Sequence, residues 1–85
     1  MLERELQITH SLGLHAQASA KVVQTLTIYR SHAFLLAKGR EVNAKSIMGV
    51  MLLAAGPGTV VRARIEGDDE ADAMAALVAL FEAGF

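Results

Sequence analysis

Thr59-Val60-Val61-Arg62-Ala63-Arg64-Ile65-Glu66 reads strictly by twos. Val61, Ala63 and Ile65 fall on one side and Arg62, Arg64 and Glu66 on the other, the pattern of a strand with one dry and one wet face. A strand of this kind belongs to an antiparallel sheet covered on one side only, so the rest of the chain has to supply the cover. Downstream, Gly67-Asp68-Asp69 turns the chain and offers an N-cap, and a helix follows whose predicted apolar stripe is Ala71, Met74, Leu77, Val78 and Phe81. Upstream, Gly56-Pro57-Gly58 ends a predicted helix over Ser46–Ala55 that is apolar on nearly every side. Before it, Ala33–Ala37 and Arg40–Asn43 read as short strands around a Lys38-Gly39 turn. At the start, Leu2–Ile8 reads as a strand with Leu2, Leu6 and Ile8 on one face, Thr9–Leu14 as a loop, and Ala16 to about Ile28 as a helix facing inward through Ala16, Ala20, Val23 and Leu26 or Thr27. The order β-α-β-β-α-β-α predicts an α+β open-faced β-sandwich: a four-stranded antiparallel sheet with three helices on one face.

The 85 residues suffice for one domain over 1–85. A domain of this size buries only about 60% of its unfolded surface, so any chemistry is expected on the surface, without a deep pocket or an organic cofactor. There are no cysteines, which excludes disulfides, zinc–thiolate sites and thiol nucleophiles. A net charge of −1, four aromatic residues and no basic stripe give no basis for nucleic-acid binding. No apolar run reaches the roughly 18 residues of a membrane span, and Met1–Leu6 lacks an apolar signal core, so the expected location is the cytoplasm and the expected state a monomer. No carboxylate pair, Ser/His/Asp set or metal-ligand spacing stands out, so neither a stand-alone enzyme nor a metal site is expected.

His15 follows Gly13-Leu14 and immediately precedes the first predicted helix. The first amides of a helix, here at Ala16 and Gln17, lack internal partners, and the macrodipole adds partial positive charge there. A phosphate attached to His15 would meet ready-made donors. Neutral imidazole is a nucleophile available near pH 7, so the position suits reversible covalent phosphoryl transfer. From position alone, a histidine at a helix start is more often a cap or a surface residue than a functional one. His10, in the loop, and His32, opening a strand, read as ordinary surface residues.

Gly13-Leu14-His15-Ala16 resembles the active-site stretch of HPr, the histidine phosphocarrier family of the bacterial phosphotransferase system. Asn43-Ala44-Lys45-Ser46-Ile47-Met48-Gly49-Val50-Met51 resembles the family's second signature, and Gly58-Thr59-Val60-Val61 with Glu66-Gly67-Asp68-Asp69-Glu70 its last strand and following turn. The resemblance covers essentially the whole chain in order. It implies a carrier, not an enzyme, that accepts a phosphoryl group on His15 from Enzyme I, charged by phosphoenolpyruvate, and passes it to EIIA-type proteins. The ending Ala79–Phe85 looks closer to the nitrogen-related branch, NPr. In many relatives a serine matching Ser46 is phosphorylated by a dedicated kinase, although capping the second helix explains Ser46 fully.

Two positions depart from the family's usual His-x-Arg-Pro-Ala. Gln17 stands for the arginine, so a neutral amide replaces a charged fork; Lys21, one turn on, is a candidate to supply charge. Ala18 stands for the proline, with little loss expected. In the second helix, Val50 and Leu53 can turn inward together, leaving Ile47, Met48 and Met51 as an exposed apolar surface for partner contact. The alternatives are an HPr-like regulatory binding protein that does not carry phosphate efficiently, which Gln17 favours, and an unrelated α+β ligand-binding or association domain in which His15 has no role.

Overall fold

A computed structural model describes all 85 residues. It contains β1 (Leu2–Gln7), α1 (Ala16–Thr27), β2 (His32–Ala37), β3 (Arg40–Asn43), α2 (Ile47–Leu52), β4 (Val60–Glu66) and α3 (Glu70–Ala83). The strands form one antiparallel sheet in the order β1-β4-β2-β3. The three helices pack on one of its faces, giving the architecture read from the sequence.

The alternation in β4 decides the layering as anticipated. Val61, Ala63 and Ile65 are fully buried. In register beside them stand Leu6 of β1 and Ala33 and Leu35 of β2, all in the core. Period-two side chains have to share a face with their cross-strand partners. The other face carries charge: Arg62 lies 3.6 Å from Glu5 and 4.0 Å from Glu3, while Arg64 pairs with Glu41 and sits 5.6 Å from the Phe34 ring centre. Leu2 shares the inward face of β1 but stays exposed, at the end of an edge strand.

Three helix readings are corrected by the packing. α1 buries Ala18, Ser19, Val22 and Leu26 rather than Ala16, Ala20 and Val23. The stripe has helical spacing, but it runs through a serine that the sequence marks as polar. Ser19 is admitted to the core because its hydroxyl donates to the Leu14 carbonyl at 3.2 Å, which removes the cost of burying it. α3 buries Ala73, Met74, Leu77 and Phe81; Ala71 faces solvent and Ala73 takes its place. α2 has six residues and stops well before Gly56-Pro57-Gly58.

The early stop of α2 has a tertiary cause. Ala54 adopts a left-handed backbone with φ +49°, and Ala55 turns away to accept the Leu14 amide at 2.9 Å. Lys38 and Arg40, from the β2–β3 hairpin, donate to the carbonyls of Ala54 and Leu52 at 2.9 and 3.0 Å. Two cations thus satisfy carbonyls that a helix end leaves unpaired.

Asp69 precedes α3, yet its side chain makes no capping bond to that helix. Its carboxylate instead accepts the amides of Arg30 and Ser31, at 2.8 and 3.0 Å, and the Ser31 hydroxyl. Gly67 makes this approach feasible, since a Cβ there would lie 2.5 Å from the Ser31 hydroxyl oxygen. The Ser31 hydroxyl foremost, and then the Arg30 amide, hold the Asp69 carboxyl down at about 2. The start of α3 is thereby tied to the segment between α1 and β2.

Candidate functional site

The loop between β1 and α1 is clamped from beneath. Gly13 has φ +64°, and a Cβ there would sit 2.4 Å from the Ala55 carbonyl oxygen. Only glycine allows the two backbones to touch so closely at this dihedral. Leu14 is buried and bonded to Ala55, and Ser19 reaches back to the Leu14 carbonyl. The residue after Leu14 is therefore delivered to the first turn of α1 with little freedom.

That residue is His15, and it is the N-cap of α1, with extended dihedrals of φ −74° and ψ −177°. Its Nδ1 accepts the Gln17 amide at 3.1 Å, and its carbonyl accepts the Ser19 amide at 2.8 Å. Nδ1 therefore carries the lone pair and, in the neutral ring, Nε2 carries the proton. Nε2 is buried and has no hydrogen-bond partner. The amides of Ala16 and Ala18 make no hydrogen bond inside the protein. The ring nitrogen with the free pair thus lies among three amide protons at the positive end of a twelve-residue helix.

His15, Ala16 and Gln17 lie together at the start of α1, with Ala16 and Gln17 exposed. Lys21 is engaged elsewhere: its ammonium donates to the main-chain oxygen of Phe85 at 2.7 Å. His10, read from the sequence as an ordinary surface residue, is only half-exposed. The loop folds it back so that its ring centre lies 4.9 Å from that of His15, tilted by 54°. A tight glycine loop between two histidines five residues apart is the signal that could have raised it.

Ser46 is the N-cap of α2 and accepts the Gly49 amide at 3.1 Å. It stands at the end of α2 opposite the segment that touches the His15 loop. Val50 and Leu53 are fully buried, while Met48 is 74% exposed and Ile47 and Met51 are each 43% exposed. Leu52 on α2, 59% exposed, and Leu12 in the loop before His15, 69% exposed, are further exposed apolar side chains that the sequence reading did not single out. No group of histidine, aspartate and glutamate side chains is arranged to hold a metal ion, and no helix is long and apolar enough to cross a membrane.

Comparison with known proteins bears on this arrangement directly. Residues 2–83 match the family model described as the PTS HPr component phosphorylation site. The chain belongs to the HPr phosphocarrier family. It is 64% identical over 85 residues to the phosphocarrier protein HPr of Xylella fastidiosa, covering all of this chain and 96% of that one. The crystal structure of HPr from Thermoanaerobacter tengcongensis superposes with a TM-score of 0.96 at 44% identity, covering 100% of this chain and 96% of that one. Crh of Bacillus subtilis, crystallised as a domain-swapped dimer, matches with a TM-score of 0.79 at 37% identity over 99% of this chain and 97% of its own. This HPr-family chain is thus a carrier of the phosphotransferase system and not a catalyst in its own right.

Proposed function

We propose that His15 is the phosphoryl-carrying residue, loaded by Enzyme I and discharged onto an EIIA-type protein, with residues 1–85 acting as one carrier domain in the cytoplasm. The observation that carries this reading is the Nδ1 lone pair of a neutral His15 held against the Gln17 amide, with Nε2 closed off from solvent.

In the loading step the Nδ1 pair attacks phosphorus on the partner's phosphorylated nitrogen. The His15 N–P bond forms as the partner's N–P bond breaks, and that bonding pair returns to the partner. The proton on His15 Nε2 stays in place, for it has no acceptor nearby. The phosphoryl oxygens take over the amides of Ala16, Gln17 and Ala18. These donors are neutral, so they hold the group without trapping it, and the reverse motion delivers it to EIIA. Proximity and preset donors supply most of what such a transfer needs.

The exposed Ile47, Met48 and Met51 provide the contact surface for both partners, since a methionine-rich patch repacks against different faces. Ser46 is the proposed target of an HPr serine kinase. A phosphate there would keep its place at the start of α2 while adding charge beside the apolar patch, weakening docking to acidic partners.

The test is incubation with phosphoenolpyruvate and a cognate Enzyme I, followed by addition of EIIA. An acid-labile adduct that passes to EIIA and is lost in His15→Ala is the expected result. The absence of any adduct would favour the second reading, a regulatory binding protein, which the uncharged Gln17 supports.

A further inference from the structure

The transfer chemistry leaves His10, whose ring lies beside that of His15, without a role. We propose that His10 is a second working residue: it takes up a proton when His15 is phosphorylated and supplies the positive charge that Gln17 lacks. The proposal rests on the carrier reading and adds a residue to it.

Three observations converge on His10. Its ring is placed, not floating: Nδ1 accepts the Leu12 amide at 3.0 Å, its carbonyl accepts the Gly13 amide at 3.0 Å, and the Phe85 ring lies 6.5 Å away, edge-on to Phe81. Its ring centre is 4.9 Å from that of His15, so a phosphoryl group on His15 is a near neighbour. And α1 itself supplies no free cation to the site. Gln17 is neutral, while Lys21 is committed to the Phe85 main-chain oxygen. The remaining charged groups around the loop are Arg4, Glu5 and Glu82, which border the groove that includes Thr9.

Protonating His10 places a proton on Nδ1 and displaces the Leu12 amide. That bond lies at the exposed surface, and Leu12 itself is 69% exposed, so water replaces it at little cost. Before loading, nothing at the site rewards the change. After loading, the phosphoryl dianion and the still-protonated His15 ring together carry a net charge of −1, and one opposite charge at about 5 Å favours the protonated His10 ring about fourfold even in a water-like medium. The sign of the pH dependence follows. The extra hold on the phosphoryl group requires a proton on His10, so it weakens as pH rises.

The test is phosphoryl exchange between two carriers. Phosphorylated wild-type chain is mixed with an equal amount of His10→Asn and a catalytic amount of Enzyme I, and intact masses are read at equilibrium from pH 6.5 to 9. Asparagine keeps an acceptor for Leu12 but gains no proton. The wild type is expected to hold more phosphoryl group at pH 6.5, by at most about fourfold, and close to an equal share at pH 9. A second variant, His10→Lys, is expected to hold its advantage over His10→Asn across the whole range and to exceed the wild type at pH 9. A ratio near one at pH 6.5, or an excess that does not change with pH, as a merely structural histidine would give, overturns the proposal. Those outcomes leave normal loading of His15 untouched; if the wild type cannot be loaded at all, the carrier reading fails first and the proposal with it.

Discussion

Gly13→Ala should cost the domain about 2–4 kcal/mol while leaving every side chain of the site chemically intact. The magnitude has three parts. An alanine at φ +64° pays about 1–2 kcal/mol for a left-handed backbone. Its Cβ would lie 2.4 Å from the Ala55 carbonyl oxygen and 2.8 Å from the Gly56 Cα, both backbone atoms that cannot swing aside, so the strands of chain have to separate. Separation breaks the 2.9 Å bond from Leu14 to Ala55, worth about 0.5–1.5 kcal/mol. For a domain of this length the loss corresponds to a fall in Tm of roughly 10–25 °C. Urea unfolding followed by circular dichroism measures it, with the slope of the transition unchanged. Phosphoryl acceptance should fall even at temperatures where the variant is folded, because the clamp also aims His15 at the start of α1. A loss below about 0.5 kcal/mol with normal loading would show that the Gly13–Ala55 contact positions nothing.

Other expectations are independent of the clamp. Gln17→Arg should shift phosphoryl exchange toward the variant by about fivefold, the difference of about 1 kcal/mol between a charged and a neutral hydrogen bond; mass spectrometry of a mixture with the wild type reads it. Asp69→Asn should lower the Tm at neutral pH and remove an acid-dependent component. The native carboxyl is held at about 2 against 3.8, so its contribution is present above 3.8 and is lost as pH falls toward 2. The wild-type Tm should drop across that window and the variant's should not. Met48→Glu should leave urea unfolding within about 0.5 kcal/mol of the wild type, because the side chain is 74% exposed, yet weaken binding to Enzyme I at least tenfold by calorimetry.

The features legible in the sequence were those set by local pattern. The alternation of Val61, Ala63 and Ile65 dictated a half-wet sheet, and the inward pairing of Val50 with Leu53 left Met48 outside, as found. The place of His15 before α1 was legible because a glycine loop and a change of period mark a helix start. What escaped was set by contacts between distant segments. Ser19 entered the core through a bond to Leu14, so a stripe drawn from apolar residues alone was rotated. Ala54 ended α2 because Ala55 is needed by Leu14, a demand from forty residues away that no local breaker announces. Asp69 looked like a cap and became a tether to Ser31. His10 looked solvated, and only the folded loop lays it against His15.

The most direct measurement is two-dimensional nitrogen–proton NMR of the chain before and after loading by Enzyme I, with imidazole nitrogens and backbone amides observed together. Attachment to His15 Nδ1 should appear as a phosphorus coupling on that nitrogen, accompanied by large downfield shifts of the Ala16, Gln17 and Ala18 amides. A phosphoryl group on Nε2, or on another histidine, or amides of the first helical turn that do not move, would contradict the geometry on which the mechanism stands.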